Sequence, residues 1–196
     1  MFLMIDNYDS FVYNLVSYFL EENIEMEIIR NDLVDLKYIE DLIEKGKLEG
    51  IIISPGPKSP KDCGLCNEIV KQFYKKVAIF GVCLWHQIIG HVFGAEVKKG
   101  KSPVHGKVHK IKNSGENIFK NLPKEFNVTR YHSLVVEKEK LLCYKRIIVY
   151  LILRYRECQF WWVIIKSFIS SFKMICPSGY TSFIAFKWKI GFSFPP

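Results

Sequence analysis

The sequence predicts an α/β domain in which a mostly parallel sheet carries helices on both of its faces. Two observations favour this fold class for residues 1–140. Short apolar runs alternate with amphipathic stretches of roughly ten residues, which is typical of βαβ units. Polar or turn-forming residues directly follow the apolar runs, so reactive groups are expected at the carboxyl ends of the strands.

Four short apolar runs are predicted to form the parallel strands, at residues 2–5, 26–29, 50–53 and 77–80. The third run is followed by Ser-Pro-Gly-Pro at residues 54–57, which neither continues a strand nor begins a helix without a turn. After Ala95 the pattern changes, and shorter β-like segments are predicted around residues 104–111 and 126–136.

Four amphipathic stretches are predicted to form helices. The first begins after Ser10, a residue type that caps helices. Its apolar residues recur at helical spacing and are predicted to be buried: Phe11, Leu15, Tyr18 and Phe19. The other helices are predicted at residues 36–45, 65–74 and 86–93, and Gly46 closes the first of these three.

The net charge of +8 belongs almost entirely to the C-terminal part. From Cys143 onward, eight basic residues and one acidic residue, Glu157, give +7, which leaves +1 for residues 1–142. The predicted domain is therefore nearly neutral, and no nucleic-acid partner is expected.

The length and hydropathy indicate a globular protein of the cytoplasm. A chain of 196 residues is the natural size of one domain. The apolar run at residues 2–5 lacks the basic segment of a secretion signal. The longest uncharged run of the apolar C-terminal part, residues 174–186, is shorter than the ~20 residues of a membrane helix. No membrane partner is expected, and the six cysteines are expected to be free thiols.

Residues 141–196 are predicted to be an atypical basic and aromatic tail that replaces the end of the domain. The last 54 residues hold 14 of the 29 aromatic residues but no Asp and no His. One interpretation is an unusual pair of core strands, and another is a membrane-surface or RNA-binding segment, although no amphipathic period supports it. We favour a segment not selected to complete this fold, and a frameshift near codon 140 is our hypothesis for its origin.

A nucleophile turn is predicted at residues 81–87, Gly-Val-Cys-Leu-Trp-His-Gln. It lies between a predicted strand and a predicted helix, the context in which a nucleophile is raised above a sheet. The helix N-terminus favours the thiolate of Cys83, and the N–H of Leu84 would face the oxyanion formed on attack. The alternative is a buried structural cysteine, which is the more frequent role of a lone cysteine after a strand.

Two further segments contain residues suited to chemistry. Gly56 lies at the end of the neighbouring strand, and its N–H is predicted to be the second oxyanion donor; the alternative is an ordinary β-turn. Cys63 and Cys66 have the spacing of a metal or redox pair. No second Cys or His pair follows at the distance of a zinc ribbon, so no metal is expected.

These segments resemble those of the class I glutamine amidotransferases, specifically the small subunit (component II) of anthranilate synthase or aminodeoxychorismate synthase. The resemblance covers some 70 % of the chain and rests on five segments in the family's order. They are Ile5-Asp-Asn-Tyr-Asp-Ser-Phe11, Ile53-Ser-Pro-Gly-Pro57, Gly81-Val-Cys-Leu84 with His86-Gln87, His105-Gly-Lys107, and Thr129-Arg-Tyr-His-Ser-Leu134.

The resemblance implies a flavodoxin-like fold and a subunit that hydrolyses L-glutamine without a cofactor. Cys83 would attack the side-chain amide and form a γ-glutamyl thioester, with Gly56 and Leu84 as the oxyanion hole. The ammonia would pass to the large subunit of a chorismate-utilising synthase, in a heteromer serving tryptophan or folate biosynthesis. The implied substrate-binding residues are Gly56, Pro57, Lys58, Gln87, Ser133 and Leu134.

Three departures from the family pattern bear on activity. Trp85 and Lys58 each stand where the family has glycine. The family's catalytic His-Pro-Glu segment is missing, since no His follows His132. The alternative function is therefore a catalytically dead relic, or a binding subunit that docks on the synthase without hydrolysing glutamine. A substitute role for His86 or His132 is disfavoured, because the family uses both positions structurally.

Overall fold

A computed structural model describes residues 1–10, 12–57, 59–81, 84–112 and 123–136. In chain order the elements are β1 (Phe2–Asp6), α1 (Val12–Glu21), β2 (Met26–Arg30), α2 (Leu36–Glu44), β3 (Gly50–Ile53), a 3₁₀ turn (Pro60–Asp62), α3 (Cys66–Phe73), β4 (Ala78–Gly81), α4 (Leu84–Val92), β5 (Val97–Lys112) and β6 (Glu125–Val136). Each strand and helix predicted before Ala95 is found, with ends that differ by a residue or two. The predicted tail, 141–196, lies outside the described residues.

The four N-terminal strands form one parallel sheet in the order β2-β1-β3-β4. The chain moves outward from β1 to β2 and then back across β1 to β3. Because crossovers between parallel strands are right-handed, this reversal puts α1 on one face of the sheet and α2 and α3 on the other. The predicted α/β class with helices on both faces is therefore confirmed.

The strand side chains divide between these two faces, as the alternation along each strand requires. On one face, buried apolar side chains of β1 and β3 form a single core with residues of α2, α3 and α4. Its fully buried members from the sheet are Leu3, Ile5, Ile51 and Ile53. On the opposite face, the ring of Phe2 packs on Phe19 of α1, with 6.3 Å between the ring centroids.

The first helix follows its predicted pattern closely. Leu15 and Phe19 are buried as predicted, together with Val12 and Val16, whereas Tyr18 is only half-buried. Phe11 lies outside the described residues. Among the described residues, none of the helices has both the length and the apolar character that crossing a membrane requires.

The segments after Ala95 form a two-stranded antiparallel ribbon of β5 and β6. Both predicted β segments are confirmed, and β5 begins at Val97, seven residues earlier than predicted. Helix α4 packs against this ribbon at Gly90, where an added Cβ would lie 2.7 Å from Val136 Cγ1. The absence of a side chain at Gly90 therefore lets β6 approach the helix that begins at the predicted nucleophile turn.

Candidate active site

The candidate site lies where β1 and β3 end side by side. The two strands pair in parallel with Ile5 opposite Ile53, so the residues that follow them meet at one edge of the sheet. The backbone continues this pairing, because Ser54 N donates a hydrogen bond to Ile5 O at 3.0 Å. The turn at residues 54–57 is thereby fixed beside Asn7, with Ser54 fully buried and Pro57 exposed.

Gly56 lies in contact with the first residue of α4. A Cβ added to Gly56 would lie 2.9 Å from Leu84 Cδ2 and 2.8 Å from Asn7 Cβ, closer than real Cβ atoms approach. Only glycine fits between these two neighbours without displacing one of them. The structure thus brings together the two residues predicted to donate to an oxyanion.

The segment predicted to form the nucleophile turn, residues 81–87, runs from the last residue of β4 into α4. Strand β4 ends at Gly81 and α4 begins at Leu84, so two residues connect them. Cys83 is one of these two and lies outside the described residues. The first N–H groups of a helix have no partner within it and carry a partial positive charge. A side chain at the start of α4 therefore lies in a field that favours an anion.

Gln87 lies one helical turn into α4 and is 7 % exposed. Among the described residues, its Oε1 has no hydrogen-bond partner. A buried acceptor left unpaired costs about 1–3 kcal/mol, so a donor supplied by a ligand would be favoured there. Lys58, which was also predicted to contact substrate, lies outside the described residues.

Ser133 and Leu134 lie on β6, the strand that packs on α4. Leu134 is half-buried and pairs with Lys99 of β5, whereas Ser133 is exposed. Val136, two residues further on, contacts Gly90 of α4, and this contact ties the end of β6 to the site's helix. The segment His105-Gly-Lys107 lies on β5, exposed, at an irregularity in the pairing of the ribbon.

Sequence reasoning missed the role of Asn7, which it named only as part of the first of the five family segments. Asn7 is 3 % exposed and hydrogen-bonds to Ser54 with both its backbone and its side chain. Its Oδ1 accepts a hydrogen bond from Asn31 Nδ2 at 2.8 Å and lies 3.3 Å from Cys66 Sγ. The sequence did contain a signal for this role, because Asn7 is a polar residue directly after a buried strand and at the same sheet edge as Ser54.

The Cys63 and Cys66 thiols are buried beneath this network. Cys63 Sγ donates to Pro60 O at 2.9 Å. The neighbouring Cys66 thiol lowers the pKa of Cys63, and the neighbouring Cys63 thiol together with burial raises the pKa of Cys66. Cys66 therefore remains protonated and able to donate to Asn7. Within the described ranges, no group of three or more His, Cys, Asp and Glu side chains could hold a metal ion.

Tyr8, which directly follows Asn7, is exposed and makes polar contacts through its side chain. Its hydroxyl donates to both carboxylate oxygens of Asp32, at 2.7 and 2.8 Å, and the Arg30 guanidinium lies 5.1 Å from the ring centroid. The hydrogen bond to Asp32 raises the pKa of the Tyr8 hydroxyl.

Comparison with known proteins places the chain within one family. The glutamine amidotransferase class-I family matches residues 3–150. Anthranilate synthase component 2 of Cyanophora paradoxa is 47 % identical over 139 residues, which cover 71 % of each chain. The aminodeoxychorismate/anthranilate synthase component 2 of Bacillus subtilis is 46 % identical over 141 residues, covering 72 % of this chain and 71 % of that protein. Aminodeoxychorismate synthase component 2 of Serratia marcescens is 43 % identical over 141 residues, 72 % of each chain.

Solved structures show the same fold. A Thermoplasma acidophilum protein described as a subunit of GMP synthase superposes with a TM-score of 0.69. It is 22 % identical, and the match covers 89 % of this chain and 96 % of that one. A glutamine amidotransferase of Thermotoga maritima gives a TM-score of 0.53 at 16 % identity, over 69 % of this chain and 61 % of that one. Together with the sequence matches, this flavodoxin-like architecture shows that the chain belongs to the class I glutamine amidotransferases.

Proposed function

We propose that this chain is the glutamine-hydrolysing subunit of a chorismate-utilising synthase, to which it supplies ammonia. The observation that carries the proposal is the contact between Gly56 and Leu84 beside the turn that contains Cys83. Two backbone N–H groups at this point would serve the oxyanion of an acyl transfer. The relatives named anthranilate or aminodeoxychorismate synthase component 2 support the choice of synthase.

The reaction begins with attack by the Cys83 thiolate on the side-chain carbonyl carbon of glutamine. A C–S bond forms, and the carbonyl oxygen becomes an oxyanion that accepts hydrogen bonds from the N–H groups of Gly56 and Leu84. Collapse of this intermediate re-forms the C=O bond and breaks the C–N bond. The nitrogen takes a proton and leaves as ammonia, and water then hydrolyses the thioester to glutamate and free Cys83.

Substrate glutamine is proposed to lie between α4 and the end of β6. Gln87 Oε1, buried and unpaired among the described residues, would accept a hydrogen bond from the α-ammonium group of the substrate. The backbone of Ser133 and Leu134 would bind the α-carboxylate group of the substrate. Pro57 and Lys58 would border the site on the side of the Gly56 turn.

A second candidate is a subunit that docks on the synthase but does not turn glutamine over. The favouring observation is the absence of any His after His132, where the family pattern has its general base in a His-Pro-Glu segment. Loss of a general acid–base group typically lowers the rate by about 10²–10⁴-fold. Trp85, in place of glycine directly after Leu84, is a second departure in the same helix.

The partner is proposed to be the large synthase subunit, in the cytoplasm, and the product pathway to be tryptophan or folate biosynthesis. The division into a domain at residues 1–140 and a tail at 141–196 stays a prediction. Translation of the nucleotide sequence beyond codon 140 in the other two frames tests the frameshift hypothesis. An encoded His-Pro-Glu segment would support it, and its absence from both frames would exclude it.

The test of function is glutamate release from glutamine, measured with the chain alone and with a synthase large subunit. In parallel, Cys83 is labelled with a ketone-bearing glutamine analogue and the labelled peptide identified by mass spectrometry, with Cys83→Ala as the control. Turnover supports the proposed function. Labelling without turnover indicates a formed site that lacks its base and favours the second candidate. The absence of both labelling and turnover would contradict the proposed function.

A further inference from the structure

Asn7 makes its closest contacts to the turn that ends in Gly56. We propose that Asn7 is a positioning residue of the glutaminase site, which sets the direction of the Gly56 N–H through Ser54 and Pro55. This inference rests on the proposed function, because it assigns that N–H to the oxyanion. Asn7 itself touches no reacting atom in this assignment.

In the first step, Asn7 fixes Ser54 by two hydrogen bonds. Asn7 N donates to Ser54 Oγ at 2.8 Å, and Asn7 Nδ2 donates to Ser54 O at 3.0 Å. Both distances are those of good hydrogen bonds, and both residues are at least 97 % buried. Ser54 is therefore fixed through its side chain and its main chain by a single neighbour.

The second step passes from Ser54 to the peptide group of Gly56. Ser54 Oγ accepts its hydrogen bond from Asn7 N, so its own proton is free to donate, and it donates to Pro55 O at 2.8 Å. Pro55 C=O and Gly56 N–H belong to the same planar, trans peptide group and point in opposite directions. A bond that fixes Pro55 O therefore fixes the direction of the Gly56 N–H as well.

The third step is the anchoring of Asn7 itself. Its Oδ1 accepts from Asn31 Nδ2 at 2.8 Å and lies within reach of the Cys66 thiol, while its Nδ2 is held by Ser54. The carboxamide cannot flip without losing these bonds. Burial strengthens each bond and makes an unpaired group costly, so the orientation of Asn7 is strongly determined.

Packing adds a steric component to the same arrangement. A Cβ on Gly56 would lie 2.8 Å from Asn7 Cβ and 3.2 Å from Asn7 O. The Gly56 backbone is therefore packed directly against Asn7. The hydrogen bond from Ser54 to Pro55 O and the packing against Asn7 together leave the peptide group of Gly56 little freedom to rotate. Such preorganisation is what an oxyanion donor requires, since it must not reorient during the reaction.

The experiment compares Asn7→Asp and Asn7→Ala with the exposed matched control Asn14→Ala, in the full chain assembled with a synthase large subunit. Asn7→Asp keeps the shape but replaces the amide donor to Ser54 O with a carboxylate oxygen. We expect both Asn7 variants to lower kcat for glutamate release by about 10–100-fold, somewhat less than loss of a whole oxyanion donor. KM for glutamine should stay within about two-fold, because substrate-binding groups are unchanged. Asn14→Ala should match the unaltered chain.

A second readout does not require turnover. The rate at which Cys83 reacts with a ketone-bearing glutamine analogue is compared with its rate toward iodoacetamide, which forms no oxyanion. The Asn7 variants should slow only the first reaction, by about 10-fold. If they fail to fold, Ser54→Ala provides the same test, because it removes the hydroxyl that holds Pro55 O while keeping Asn7.

Unchanged kcat and unchanged analogue labelling in the variants would overturn the inference. It is also overturned if KM rises in step with the fall in kcat, or if both labelling reactions slow together with a loss of thermal stability, since a merely structural residue would behave in that way. If the unaltered chain neither hydrolyses glutamine nor reacts with the analogue, the proposed function itself fails, and this inference fails with it. The unaltered chain and the variants therefore report separately on the two claims.

Discussion

Gly56→Ala is the substitution whose effect follows most directly from the distances in the site. The new Cβ would lie 2.8 Å from Asn7 Cβ and 2.9 Å from Leu84 Cδ2. Carbon atoms in contact prefer a separation of about 3.5–4.0 Å, so the turn or its neighbours must move by roughly 0.6–1.2 Å. Asn7 is held by Asn31 and by the Ser54 end of the turn, so the Gly56 end of the turn is the part expected to shift.

Two magnitudes follow from this displacement. Overpacking of this kind costs about 1–3 kcal/mol in the free energy of unfolding. A misplacement of about 1 Å in a catalytic site can lower the rate by about 10²-fold. We therefore expect Gly56→Ala to lose about 10²-fold in kcat for glutamate release while the protein remains folded.

The assay is steady-state glutamate release with a synthase large subunit, beside urea unfolding of the same preparations. Gly100→Ala is the matched control, because a Cβ there would meet its nearest neighbour, Val135 Cγ1, at 3.4 Å, an ordinary contact. Where the unaltered chain shows no turnover, the rate of Cys83 labelling by the glutamine analogue replaces kcat. A Gly56→Ala chain with unaltered kcat, labelling and stability would refute the reasoning.

Three further predictions concern stability, each measured by urea unfolding against the unaltered chain. Asp35→Ala removes the N-cap of α2, whose side chain accepts from Lys37 N at 2.9 Å, and should cost about 0.5–2 kcal/mol; no change would contradict the capping role. Phe73→Ala empties a fully buried core position in α3 and should cost about 3–5 kcal/mol, whereas a cost below about 1 kcal/mol would mean that the core refills. The raised pKa of Cys66 means that the folded state keeps a proton that the unfolded state releases above the ordinary pKa of 9.0. Stability should therefore decline above about pH 9 by up to about 1.4 kcal/mol per pH unit from this group, and Cys66→Ser should decline less steeply; equal slopes would count against it.

The elements before Ala95 could be predicted because their signals are local. The run of residues 50–53 followed by Ser-Pro-Gly-Pro contains both a buried strand and its end, and β3 spans the predicted residues. Gly46 closes α2 with a φ of 63°, a conformation that glycine adopts without strain. In both cases a few neighbouring residues contain the physical cause of the structure.

The features that could not be predicted depend on partners distant in the sequence. Asn7 and Ser54 are separated by 47 residues, and their hydrogen bonds exist only because β1 and β3 are neighbours in the sheet. The early start of β5 at Val97 has a similar cause, because a stretch rich in Lys carries little strand signal of its own and pairs with β6. The half-buried position of Tyr18 likewise depends on where α1 meets the sheet.

The described part of the site and the departures in the sequence concern different steps of the proposed reaction. The hydrogen bonds from Asn7 through Ser54 to Pro55, and the contact of Gly56 with Leu84, lie among elements that precede residue 93. They bear on the oxyanion, which forms when Cys83 attacks. The missing His-Pro-Glu segment bears on proton transfer to the leaving nitrogen. Because the two requirements rest on separate parts of the chain, we expect attack on a ketone analogue to survive where ammonia release does not, whereas a chain that fails at both would contradict the proposed function.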